Sequence, residues 1–166
     1  MEYKLTGDNG KKRNIFREEI ENIIKEEHIE RNRFHEFSKL KYDEVIRKFY
    51  YSFCDYKQFF TTTITLEYRR LHFRSTLDHY AVAGLWDVNW DWEEYLSAIK
   101  SSLPSNDGQK LFLLLEEGWV YEGYADEMFR ILKKIDYHMN FFIISNQFDW
   151  FISHDYIEET ADMYCR

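Results

Sequence analysis

Leu111-Phe-Leu-Leu-Leu115 is an unbroken apolar run of five residues, with Ser105-Asn-Asp-Gly108 shortly before it and Glu116-Glu117-Gly118 directly after it. Five residues closed in by turn-forming and acidic neighbours are too few for an ordinary helix and suit a buried, central strand. Glu117-Gly118 then reads as a reversal into a second strand at Trp119-Val-Tyr121. Further along, Phe141-Phe-Ile-Ile144 and Phe148-Asp-Trp-Phe-Ile152 read as two strands joined through Ser145-Asn-Gln, a hairpin.

Helices surround this strand-rich part. Asp91 stands three residues before Glu94, the spacing of a capping box, so a helix is expected to start at Trp92, to turn Trp92, Tyr95, Leu96 and Ile99 inward, and to stop before Pro104. Ala125, Met128, Phe129, Leu132 and Ile135 repeat at helical spacing and predict a helix over 124–136, with acid at its start and lysine at its end as the helix dipole favours. Two more helices are expected near the N-terminus. One covers 14–31 through Phe16, Ile20, Ile23, Ile24 and Ile29, and the other covers 42–53 through Val45, Ile46, Phe49, Tyr50 and Phe53. Asp8-Asn-Gly10 reads as a turn before the first of them. Residues 59–73, rich in Thr and aromatics, predict one long strand, and 78–86 an antiparallel neighbour for it, although two alanines there also permit a helix. The resulting order predicts an α+β fold: a mainly antiparallel sheet flanked by helices, with two N-terminal helices. With 166 residues, one proline and six glycines, a single domain over 1–166 is expected, its helical part at about 13–53 and its sheet-containing part at about 58–166.

Composition excludes several functional classes. With 45% hydrophobic residues the chain can offset its folding entropy, so disorder is not expected. No run approaches the roughly 18 apolar residues of a membrane span, and the start Met-Glu-Tyr-Lys lacks an apolar signal region. Two distant cysteines, Cys54 and Cys165, the latter expected on a loose chain end, argue against a disulfide framework, and a cytoplasmic setting follows as the expectation. A net charge of -8 argues against direct binding of nucleic acid.

No residue pattern names a reaction. Asp87, Asn89 and Asp91 match the first, third and fifth positions of a calcium loop, but Trp92 stands at the turn glycine and Ala98 at the bidentate glutamate. The histidines His28, His35, His72, His79, His138 and His154 form no helical i, i+4 pair and have no Cys-x-x-Cys beside them, so they read as partly exposed structural residues. Gly-x-Ser-x-Gly is missing, and Gly118 to Gly123 lacks the Lys-Ser/Thr of a phosphate loop. The acid pairs Glu93-Glu94, Glu116-Glu117 and Glu158-Glu159 are adjacent in sequence, a spacing that does not make two carboxylates converge in a cleft. No enzyme, cofactor or metal is expected.

Charge is distributed unevenly. Residues 1–74 carry 16 basic and 13 acidic residues, whereas 75–166 carry 6 and 17, a net of -11 that also contains all five tryptophans. Trp92, Trp119 and Trp150 are expected to bury much of their rings in the core. The acid around them predicts a surface that docks on a basic protein, with Asp87, Trp90, Asp91, Glu93, Glu116, Glu117, Tyr121 and Glu122 as its residues.

Over residues 92–152, less than half the chain, the features run in a set order: the Trp92 helix, the strand at Leu111 to Leu115, Trp119-Val-Tyr-Glu-Gly123, the helix with Ile131-Leu132, Phe142-Ile-Ile-Ser145 and Phe148-Asp-Trp150. That order resembles an uncharacterised family of small acidic bacterial proteins, which in turn is similar to the immunity proteins of toxin systems. After Trp150 the chain departs from that pattern, with Glu158-Glu159 and Tyr164 in place of a further apolar strand. The resemblance implies a compact inhibitor that neutralises a basic partner such as a toxin nuclease. Two other readings compete with it. A phage-type DNA mimic requires carboxylates spread like backbone phosphates, and a small hydrolase requires His and acid residues converging in a pocket.

Overall fold

The computed structural model describes residues 15–53, 81–87, 91–104, 108–115, 119–135, 139–157 and 159–165. Its elements are α1 (Ile15–Glu26), β1 (Phe34–Glu36), α2 (Tyr42–Phe53), β2 (Ala81–Asp87), α3 (Trp92–Ser101), β3 (Leu111–Leu115), β4 (Val120–Gly123), α4 (Ala125–Leu132), β5 (Phe141–Ser145), β6 (Trp150–Asp155) and β7 (Thr160–Cys165), with a short 3-10 turn at Lys39–Lys41. The strands form one seven-stranded sheet in the order β1-β4-β3-β5-β6-β7-β2, antiparallel at every described pairing. The α+β architecture with two N-terminal helices is therefore as expected.

Both faces of the sheet are covered, and this explains the apolar runs that mark its inner strands. Leu111, Leu113, Leu115, Tyr121, Phe141, Ile143, Trp150 and Ile152 pack under α1, α3 and α4. Phe112, Leu114, Val120, Phe142, Ile144, Phe148 and Phe151 pack against Tyr42, Val45, Ile46, Phe49 and Phe53 of α2. A strand with helices on both sides carries apolar residues at successive positions, because each parity faces a different core. Each such side chain contributes about 1.5–3 kcal/mol on burial, and β3, buried at all five positions, is the clearest case.

The β5–β6 hairpin also forms, in register from Phe141↔His154 to Ile144↔Phe151. Phe148, expected at the start of its second strand, instead occupies the turn at φ 57, where its backbone N–H donates to the Ser145 carbonyl at 3.0 Å. The ring remains buried against Phe112, which holds a bulky residue in a left-handed conformation it rarely adopts.

Several boundaries and strands differ from expectation. Helix α1 stops at Glu26 rather than continuing to Arg31, because His28 adopts φ 51 and closes a Schellman motif. The Ile29 N–H donates to Ile24 O at 3.0 Å and the His28 N–H to Lys25 O at 3.3 Å, and Ile29 and Ile24 are both buried. Helix α4 ends at Leu132, short of 136, and the Trp92 indole N–H donates to its Leu132 carbonyl at 2.8 Å. Residues 81–87 are a strand and not a helix, and their described partner is β7. The expected long strand at 59–73 and the turn at 8–10 lie outside the described residues. Two strands were not anticipated. β1 is only three residues long, and β7 interleaves Thr160 and Asp162 with Ala161 and Met163, so its sequence does not read as an apolar strand. Cys165 therefore belongs to a strand, opposite Trp150, and is not on a loose end.

β1 approaches β4 at Gly123. A Cβ there would lie 2.6 Å from the Arg33 carbonyl oxygen and closer still to the Phe34 ring, so only glycine fits without displacing the strand. Phe34 stacks on Tyr121 with ring centroids 5.3 Å apart. Among the described residues no helix is long and apolar enough to cross a membrane.

Candidate partner-binding surface

The antiparallel register brings the ends of several strands into one row. Leu115 lies opposite Phe141, Phe141 opposite His154, Asp155 opposite Thr160, and Thr160 opposite Asp87. At this end of the sheet β2 leads toward α3, and the turn between β6 and β7 reverses the chain. Trp92, the first residue of α3, locks the helix onto the row, with its ring centroid 5.2 Å from His154 and 6.4 Å from Phe141. Asp91 is the expected N-cap: its Oδ1 accepts the Glu94 N–H at 2.9 Å. Asp91, Glu93 and Glu94 are exposed around the positive end of the helix dipole, which favours carboxylates.

The turn adds acid from the opposite side. Asp155 Oδ1 accepts the Ile157 N–H at 2.9 Å, and Asn140 Oδ1 accepts the Tyr156 N–H at 3.1 Å, which ties the turn to the start of β5. Glu159 follows at φ 53, and the Ile157 side chain is 65% exposed. Among the described residues, Asp91, Glu93, Glu94 and Glu159 pair with no cation. This end of the sheet thus holds exposed Asp91, Glu93 and Glu94 at the start of α3, and buried Asp155, exposed Ile157 and half-buried Glu159 in the turn after β6, with the backbone of Asp87 opposite Thr160.

Not every residue expected on a docking surface is here. Asp87, Asp91 and Glu93 are at this end. Trp90, Glu116 and Glu117 lie outside the described residues, although Leu115 and Trp119, on either side of the last two, stand at this end and are joined by a hydrogen bond from the Leu115 N–H to the Trp119 carbonyl at 2.9 Å. Tyr121 is a correction. It is fully buried under α1, because β4, like β3, has helices on both faces. Glu122 is half-buried on the α2 side of β4, in register with Phe112 and His35, and its carboxylate is 3.6 Å from His35 Nε2. Glu94, Ile157 and Glu159 are the additions. Ile157 gave no signal in sequence, since a single apolar residue beside Glu158-Glu159 reads equally well as core.

Acids on the opposite flank are engaged differently. Glu36, at the end of β1, accepts from the Arg17 guanidinium at 2.6 Å and from the Tyr42 hydroxyl at 2.7 Å, so one carboxylate joins α1 and α2 across the sheet edge. Glu21 takes both Arg31 nitrogens, the closer at 2.7 Å, and the Tyr121 hydroxyl at 3.1 Å. Burial pushes the Glu21 carboxyl up, but the Arg31 hydrogen bond and charge together with the Tyr121 hydroxyl outweigh it, and the group sits below its usual value. Burial, and then the Glu21 and Glu36 charges, push the Tyr121 phenol up; burial and Glu36 do the same to Tyr42. Both phenols are therefore hydrogen-bond donors at neutral pH. Elsewhere Glu127 pairs with Arg33 at 2.9 Å, Asp126 with Lys100 at 2.6 Å and Glu27 with Lys134 at 2.9 Å. The first ties α4 to the start of β1, the second ties α4 to α3, and the third joins the residues that follow α1 and α4.

His154, expected to be partly exposed, is buried. It sits among Trp92, Tyr95 and Phe141, and its Nδ1 is 2.8 Å from the Tyr95 hydroxyl. Among the described residues no three His, Cys, Asp or Glu side chains group as metal ligands. No curated protein and no solved structure matches this chain. The model of DUF6756, a family of unknown function, matches residues 12–165, nearly the whole chain, and the protein belongs to that family.

Proposed function

We propose that the protein is a bacterial immunity-type inhibitor, acting in the cytoplasm, that binds and neutralises a basic partner such as a toxin nuclease through the acidic end of its sheet. The reading assigns it no reaction of its own. One observation carries it: Asp91, Glu93 and Glu94, exposed where α3 begins, and Glu159 in the turn that holds exposed Ile157 pair with no cation among the described residues, while Glu21, Glu36, Asp126 and Glu127 are each engaged by arginine or lysine. Unpaired like charge at one end of the sheet raises the association rate for a basic surface, and an exposed apolar residue at the same end supplies area to bury on contact.

The test is affinity capture from the native cell at low and at high salt. The tagged wild-type protein is expected to retain a basic protein at low salt and to release it as salt rises, since exposed charges beyond about 10 Å are screened at 0.1 M. The Glu93→Lys/Glu94→Lys variant is expected to retain none. Failure to recover a basic protein at either salt concentration contradicts the reading.

A further inference from the structure

We draw no further inference here: the strongest candidate, the groove of about 640 Å³ along the outer face of α1 lined by Glu18, Glu19, Asn22, Glu26 and Lys134, is an acidic cluster, and nothing among the described residues shows what covers it.

Discussion

At the β1 edge, Glu21 and Glu36 are each held by an arginine and a tyrosine hydroxyl. At the end where α3 begins, Glu93 and Glu94 face solvent with no described partner. Both regions carry carboxylates, yet Glu21 and Glu36 are tied into the fold by cations, whereas Glu93 and Glu94 have none among the described residues. A net charge of -8 therefore says little about where a partner docks until each carboxylate has been matched with the cations around it. Carboxylates that bridge elements contribute to folding, and carboxylates without partners contribute a field.

The contrast can be broken most forcefully at Glu36. Glu36→Ala leaves Arg17 and Tyr42 without their shared acceptor at a half-buried edge, and a loss of about 2–4 kcal/mol is expected in chemical denaturation. A loss below about 0.5 kcal/mol would mean that the β1 edge is held by apolar packing alone. Next in size is Gly123→Ala, which forces β1 away from β4 and should cost about 1–3 kcal/mol, read as a lower denaturation midpoint with an unchanged slope.

Acid sharpens the same comparison. The folded state holds the Glu21 carboxyl below its usual value, so its contribution is fully present above the unfolded carboxylate range, near about pH 4.3, and is lost as pH falls through the lower folded value. Glu21→Gln should therefore lower stability at pH 7 and narrow its gap to the wild type below about pH 4. An equal gap at both pH values would remove Glu21 from the account. Smaller effects are expected at the sheet end. Asp91→Ala should cost about 1 kcal/mol through loss of the α3 cap, and Glu93→Lys and Glu94→Lys should each cost up to about 1 kcal/mol, because each puts a cation at the positive end of the helix dipole. Thermal melts of the three variants measure these losses.

Features set by neighbouring residues were legible in the sequence. The Leu111 to Leu115 strand, the hairpin around Ser145 and the Asp91 cap each depend on a few adjacent side chains, and each formed, the hairpin with Phe148 in its turn rather than its second strand. Features that depend on distant partners were not legible. β1 is a strand because Gly123 lets it close on β4, and Glu36 is a clamp because Arg17, nineteen residues away, reaches it. Likewise His154 is buried because Tyr95, fifty-nine residues away, supplies its hydrogen-bond partner. Tyr121 shows how the candidate site was partly misread. Its neighbour Glu122 suggested a surface, while the Val120-Tyr121 pair, apolar at both parities like β3, already carried the signature of a strand with two covered faces. The placement of β2 and β6 at one end of the sheet emerged from register, since Asp87 and Asp155 both lie opposite Thr160 although sixty-eight positions separate them.

The most direct test of the central claim is the dissociation constant of the recovered basic partner for the wild type and for Glu93→Lys/Glu94→Lys, measured alongside thermal melts of both proteins. The account predicts affinity at least about tenfold weaker, a change of about 1.4 kcal/mol, with both proteins folded at the assay temperature. Equal affinity in a folded variant would contradict it and move the docking surface away from this end of the sheet.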